Sequence, residues 1–364
     1  MSVLRSVPGL LGNAGKPPLP KWKAAQALRA AGVRNAIFLV VGDSTAAGRG
    51  GANTSASTND ESYSWPRQIA SLLPNGSNSS LWGDYNSAIW VPLSTFDQRV
   101  TLGTWVQTAN STTATIGGPV VRCNSPSTSA FTFTPLNQVD TFVVYCYQTP
   151  GLGIMNIGID SNTPTSFNAA GTDAVVPITV TAALGNHTVK ISRVSGGTVA
   201  IAGIIAYNSA SKETTVINGG WSSSLAATWL STGSSLYPVN TIPQVAPDLS
   251  IICLTINDWV AATSTSAYTA SIQQLINICK QTGDVILMSG AASEITEASV
   301  AQQQIYINIV QALAASNNLR FINMTALMGS WATNNALGWE FDGLHPNANY
   351  YTPQATLIAS AIAA

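Results

Sequence analysis

A serine hydroxyl becomes a nucleophile only when a neighbouring base takes its proton, and a carboxylate must orient that base and stabilise its cation. The chain has only two histidines, His187 and His345. His345 stands in Asp342-Gly-Leu-His345-Pro346, with a carboxylate three residues before it, so one loop can supply both base and orienter. The matching nucleophile candidate is Ser44, in Gly42-Asp43-Ser44 directly after the apolar run Ala36–Val41. Acyl transfer to a serine places negative charge on the former carbonyl oxygen, and donors about 2.7–3.1 Å away stabilise it strongly in a dry site. Two further stretches offer such donors. Ile217-Asn-Gly-Gly220-Trp221 carries a glycine-framed N–H, and Thr255-Ile-Asn257-Asp258 a side-chain amide. Singly, each stretch reads as an ordinary turn, with Asn257 an Asx-turn residue after a strand. Together with Ser44 and the Asp342/His345 pair, the ordinary readings would all have to hold at once.

In this order the four stretches resemble the blocks of the SGNH (GDSL-type) serine hydrolases. That resemblance implies Ser44 as nucleophile, His345 as base and Asp342 as its partner. It implies an oxyanion hole made of the N–H of Ser44, the N–H of Gly220 and the amide of Asn257. It further implies a flavodoxin-like, three-layer α/β fold around a parallel sheet. Two departures stand out. Thr255 occupies a place where glycine is common, and the second block lies unusually far from the first.

The elements that must position these residues can be read from periodicity. Ala36–Val41 is a β-branched apolar run, expected as a strand buried on both faces of a parallel sheet. Its terminal glycine would place Ser44 at the rim where such sheets bind ligands. Asp248–Leu254 is a second such strand, delivering Asn257 to the same rim. Asp284–Met288 and Leu319–Asn323 follow as further strands. Trp22–Ala31, Trp65–Leu73, Ala267–Thr282, a segment through Val300, Ile307, Val310 and Ala314, and Gln354–Ala363 read as helices. Alternating β and α elements of these lengths imply a parallel sheet covered on both faces. The loop Arg49–Ser62, directly after Ser44, would shape substrate access.

Between about Tyr85 and Asn208 helical periodicity disappears. Short runs rich in Val, Ile, Thr, Phe and Tyr recur between turn residues, as in Val100–Gln107, Ala130–Thr134, Thr141–Tyr147, Ile154–Asp160, Val175–Thr181, His187–Val194 and Val199–Tyr207. Such spacing suggests an all-β sandwich of jelly-roll type. Leu184–Val194 followed by Gly196–Ile201 resembles the last hairpin of carbohydrate-binding-module-like sandwiches, and His187 reads as a strand or turn residue. Residues 85–208 are therefore expected as an insertion between 21–84 and 209–364, with 1–20 as a Gly/Pro-rich arm or linker that could serve assembly.

Only 9% of the residues are charged and the formal net charge is −1, which argues against a nucleic-acid binder, since neutralising phosphates takes a basic face. No run is long and apolar enough for a membrane span, and Met1–Pro20 does not read as a secretory signal. No phosphate-cradling glycine loop, dinucleotide motif or His/Cys metal cluster is present, so no cofactor and no metal is implied. Cys253 and Cys279 read as small core hydrophobes, while Cys123 and Cys146 could form a bridge. Trp221 and Trp259 either wall the substrate pocket or sit in the core. The reading that results is a serine esterase acting on esters, foremost O-acetyl groups, of a polysaccharide. A short-chain or lipid ester is the runner-up, and an inactive sugar-binding or virion module is the reading from another class. Composition points to an extracellular or virion-associated setting.

Overall fold

The computed structural model describes residues 17–54, 58–83, 92–107, 114–124, 129–294 and 299–363. The first sixteen residues of the expected arm, and the expected insertion start at Tyr85, lie outside them.

The apolar run before Ser44 forms strand β1, Ala36–Gly42, buried except at Ile37. It is flanked in a six-stranded sheet by β2 (Gly76–Ser77), β3 (Thr214–Gly220), β4 (Leu249–Cys253), β5 (Asp284–Met288) and β6 (Arg320–Ile322). Their order is β6-β5-β4-β1-β3-β2, and every pairing is parallel. Side chains alternate across β1, as a period of two requires. Phe38 and Val40 enter a cluster with Trp22 of helix Pro20–Ala30, Ile69 of Trp65–Leu72 and Tyr351 and Ile358 of Ala348–Ala363. Leu39 and Val41 enter another with Ile242 of Pro238–Val245, Leu275 of Thr265–Lys280 and Val310 of Val300–Ser316. The result is the three-layer α/β arrangement expected from the sequence.

Register decides what this sheet can do. Gly42 lies opposite Gly220 on one side and Cys253 on the other. The carboxyl ends of β1, β3 and β4 therefore finish level, and the residues that follow them share one rim. Ser44, the segment after Gly220 and Asn257 arrive there from three adjacent strands.

The remaining strands form extra all-β sheets. The first contains Ala174–Gly185, Val139–Gln148, Val199–Tyr207, Val121–Cys123 and Val106–Gln107, with Ser80–Trp82 also paired to Val199–Tyr207; the second contains Thr165–Asn168, Gly153–Ile159, Val189–Gly196, Phe131–Phe133 and Val100–Thr101; Ala114–Thr115 and Gly118–Pro119 make a small two-stranded third. Phe142, Val144 and Ile204 of the first share a hydrophobic cluster with Phe131, Met155, Ile157 and Ile191 of the second. Val199–Tyr207 is buried on both sides. Ile201, Ile204 and Ala206 join that cluster, while Ala200, Ala202 and Ile205 join the α/β cluster of Leu39 and Val41.

Two local expectations change. Val100–Gln107 is two strands in different sheets, Val100–Thr101 and Val106–Gln107, with Gly103 at φ 59° between them. Ser80–Trp82 already belongs to the β region although the expected boundary fell after it, because Trp82 packs where Gly203 leaves room. None of the four cysteines forms a disulfide and all are buried, so Cys123 and Cys146 are not bridged.

Candidate active site

Strand β1 ends at Gly42, and Asp43 turns the chain into a four-residue helix, Ser44–Ala47. Asp43 caps that helix, its Oδ1 accepting from the Thr45 N–H at 2.9 Å and the Thr45 hydroxyl at 2.7 Å. Burial raises the Asp43 carboxyl above its ordinary range, against the pull of these hydrogen bonds. Ser44 is thus held at the start of a helix, and its own N–H has no partner among the described residues.

His345 reaches it from 301 positions away. Ser44 Oγ lies 2.9 Å from His345 Nε2, and His345 Nδ1 lies 3.0 Å from Asp342 Oδ2. A ring nitrogen facing a carboxylate carries the proton, which leaves Nε2 to accept from the serine hydroxyl. Asp342 also shapes its own loop, Oδ1 accepting the N–H of Leu344 at 2.7 Å and of His345 at 2.6 Å. Burial works to raise this carboxyl, but its hydrogen bonds and the charge of His345 outweigh that and hold it down at about 2. Asp342 is therefore ionised throughout the neutral range.

Asn257 lies in the first turn of helix Ile256–Val260. Its Nδ2 donates to Ser224 O at 3.0 Å, which spends one amide hydrogen and leaves the other. Thr255, where a glycine was expected, takes φ −121° and needs no glycine. Its hydroxyl accepts the Gly290 N–H at 2.7 Å and ties β4 to the segment after β5. Asp258 accepts the Ala226 N–H at 2.8 Å and so anchors the Ser224 loop from below.

Gly220 departs from its expected role. Its N–H donates to Asn218 Oδ1 at 2.9 Å, so it is not available to an oxyanion. A glycine is needed there for another reason: a Cβ would lie 2.1 Å from Ala47 N, inside the helix that begins at Ser44. The chain continues into a turn closed by Ser224 N–H to Trp221 O at 3.2 Å. In it the exposed Ser223 takes φ 60°, and its N–H has no partner among the described residues. The left-handed position itself gave no signal in the sequence, since serine rarely occupies it. Trp221 and Trp259 are core residues, 3% and 0% exposed, so they do not wall an open pocket. Trp221 packs on Trp229, ring centroids 5.8 Å apart. His187 sits in the β region, Nδ1 2.6 Å from Asp160 Oδ2, far in the chain from these partners. Among the described residues no group of three or more His, Cys, Asp or Glu could hold a metal ion, and no helix is long and apolar enough to cross a membrane.

Comparison with known proteins bears on this arrangement. The model of the GDSL-like lipase/acylhydrolase family matches residues 195–352, which includes Asn257, Asp342 and His345 and leaves Ser44 to be joined to them by the geometry. The structure of a peptidoglycan O-acetylesterase superposes with a TM-score of 0.70 at 15% identity, covering 97% of each chain; at that identity it shows a shared fold. A family two carbohydrate esterase from Clostridium thermocellum in complex with cellohexaose covers 67% of this chain and 94% of its own at 12% identity and a TM-score of 0.31, a score too low to carry weight. No curated protein matches by sequence.

Proposed function

We propose that this chain, which carries a GDSL-like lipase/acylhydrolase domain on an SGNH hydrolase fold and is thus a hydrolase of ester bonds, removes O-acetyl groups from a polysaccharide through Ser44, His345 and Asp342. The observation that carries the assignment of roles is the unbroken chain Ser44 Oγ–His345 Nε2, His345 Nδ1–Asp342 Oδ2 at 2.9 and 3.0 Å. In this reading His345 takes the serine proton as Oγ attacks the ester carbonyl, and Asp342 stabilises the imidazolium that results. The tetrahedral oxyanion is bound by the Ser44 N–H and the free hydrogen of Asn257. The turn Trp221–Ser224 supplies the third donor, the Ser223 N–H, in place of Gly220. His345 gives that proton to the departing sugar oxygen, which leaves as a hydroxyl, and water, activated by the same histidine, then releases acetate from the acyl-Ser44.

A polysaccharide substrate is supported by the β sheets packed beside the hydrolase layers, and it agrees with an extracellular or virion-associated setting. The test is acetate release from a panel of acetylated glycans, with Ser44→Ala as control and labelling by a serine-directed organophosphate. Stoichiometric labelling at Ser44 and loss of acetate release in the variant are expected. Full activity in Ser44→Ala would remove the assignment.

A further inference from the structure

We propose that Arg49 is an anion-recognition residue of this site, and that the glycan it serves carries carboxylates close to the acetylated position. The proposal rests on the polysaccharide reading above and adds to it the charge of the substrate.

The backbone of Arg49 is fixed on both sides. Its N–H donates to Ser44 O at 2.9 Å, and its carbonyl accepts the Tyr351 hydroxyl at 2.6 Å. Gly50 then runs directly against the histidine loop. It takes φ 82°, and a Cβ there would meet Pro346 O at 2.6 Å and Phe341 Cβ at 2.8 Å. This approach lays the half-buried Arg49 over the Phe341 ring, with Cζ 5.9 Å from its centroid. Phe341 in turn donates its N–H to His345 O at 2.9 Å. One end of Arg49 is therefore bonded to the nucleophile residue and the other lies on the neighbour of the base.

Its guanidinium makes no hydrogen bond or ion pair with a described residue, whereas Arg34, Arg67 and Arg99 each pair with a carboxylate. Asp342, the carboxylate of the same loop, is taken by His345 and two backbone N–H groups. An arginine on an aromatic face is weakly hydrated and keeps its planar fork free, and two parallel N–H···O bonds to a carboxylate are what that fork fits. A bound substrate carboxylate would also need a cation to offset the charge of Asp342. Arg49 supplies it.

The experiment compares acetylated polygalacturonate with the same polymer after its carboxyl groups have been reduced to alcohols. Wild-type kcat/KM for acetate release should be higher on the carboxylate form by roughly ten- to a hundredfold, the range of a charged hydrogen bond, and the preference should shrink with added salt. In Arg49→Ala that ratio should fall towards one, and Arg49→Lys should recover only part of it, since a point charge lacks the fork. Because the wild-type comparison needs no substitution, misfolding of a variant does not decide the result. Acetate released from both polymers at equal wild-type rates overturns the carboxylate proposal and leaves the polysaccharide reading standing. Acetate from neither, with a nitrophenyl ester still hydrolysed, overturns the polysaccharide reading and the proposal with it.

Discussion

Replacing Asn257 by alanine separates transition-state binding from everything else that residue does. Its amide makes one visible bond, Nδ2 to Ser224 O at 3.0 Å, between neutral partners. Losing such a bond costs about 1 kcal/mol of stability, spread over a turn that Asp258 also holds through the Ala226 N–H. In the proposed role the second amide hydrogen acts only once the carbonyl oxygen has become an anion. Removing one such donor lowers kcat by roughly 10²–10³, or about 2.7–4 kcal/mol. The catalytic loss should therefore exceed the stability loss about threefold in free energy, with KM nearly unchanged. Urea unfolding and steady-state hydrolysis of a nitrophenyl acetate measure the two quantities on one preparation. A rise in KM at constant kcat would refute the argument and make Asn257 a substrate-binding residue. A kcat loss no larger than the stability loss would reduce Asn257 to a support for the Ser224 turn.

Other substitutions probe the frame around the site. Gly220→Ala should abolish activity and destabilise the fold, because the added methyl meets Ala47 N at 2.1 Å; a soluble, active variant would show that the helix Ser44–Ala47 can shift. Burial pushes the Glu340 carboxyl from 4.5 up to about 8. The native state then binds more protons than the unfolded chain between those values, so stability falls as pH rises through that window. Glu340→Gln should remove this slope, gaining on the wild type more at pH 8 than at pH 5 in urea unfolding, and parallel curves would contradict it. Arg99→Ala leaves Glu61 and Asp97, both fully buried, without their shared cation; breaking a buried pair costs roughly 3–5 kcal/mol, seen as a lower unfolding midpoint, and a loss below 1 kcal/mol would mean water reaches the pair.

What the sequence made legible followed from local rules. β1 announced itself as an unbroken apolar run because helices cover both its faces, and the Asp342–His345 spacing fits a loop whose carboxylate bonds both the ring and the backbone of its own turn. The proposed oxyanion donors were harder. Glycine at 220 signals either a free N–H or a close approach, and sequence does not separate the two; here the approach of Ala47 explains it, and Asn218 takes the N–H. Ser223 at φ 60° gave no sign, since the turn overrides its intrinsic preference. Trp221 and Trp259 followed candidate donors in the chain, but the strand ends that deliver those donors turn both rings inward. The strand boundaries of the β region were blurred for a related reason. Val199–Tyr207 lacks the alternation of a half-exposed strand because it serves two cores at once.

That double service limits how separable the β region is from the hydrolase layers. Ala200, Ala202 and Ile205 share a cluster with Leu39 and Val41 of β1, the strand that presents Ser44. A second link runs through charge. Arg99, beside the β region, pairs with Asp97 at 2.6 Å and with Glu61 at 3.2 Å, and Glu61 also pairs with Arg67 of the helix that covers β1. Asp60, next to Glu61, accepts the Ala52 N–H at 2.8 Å in the loop after Ser44. The loop that carries Arg49 and Gly50 is thus braced at one end by the helix of Ser44 and at the other by residues that answer to the β region. Cutting out the extra sheets would uncover apolar surface on β1's side of the core and leave the buried Glu61 with Arg67 as its only paired cation among those three residues. Single substitutions at Arg99, Arg49 and Asn257 test the same architecture without dismantling it.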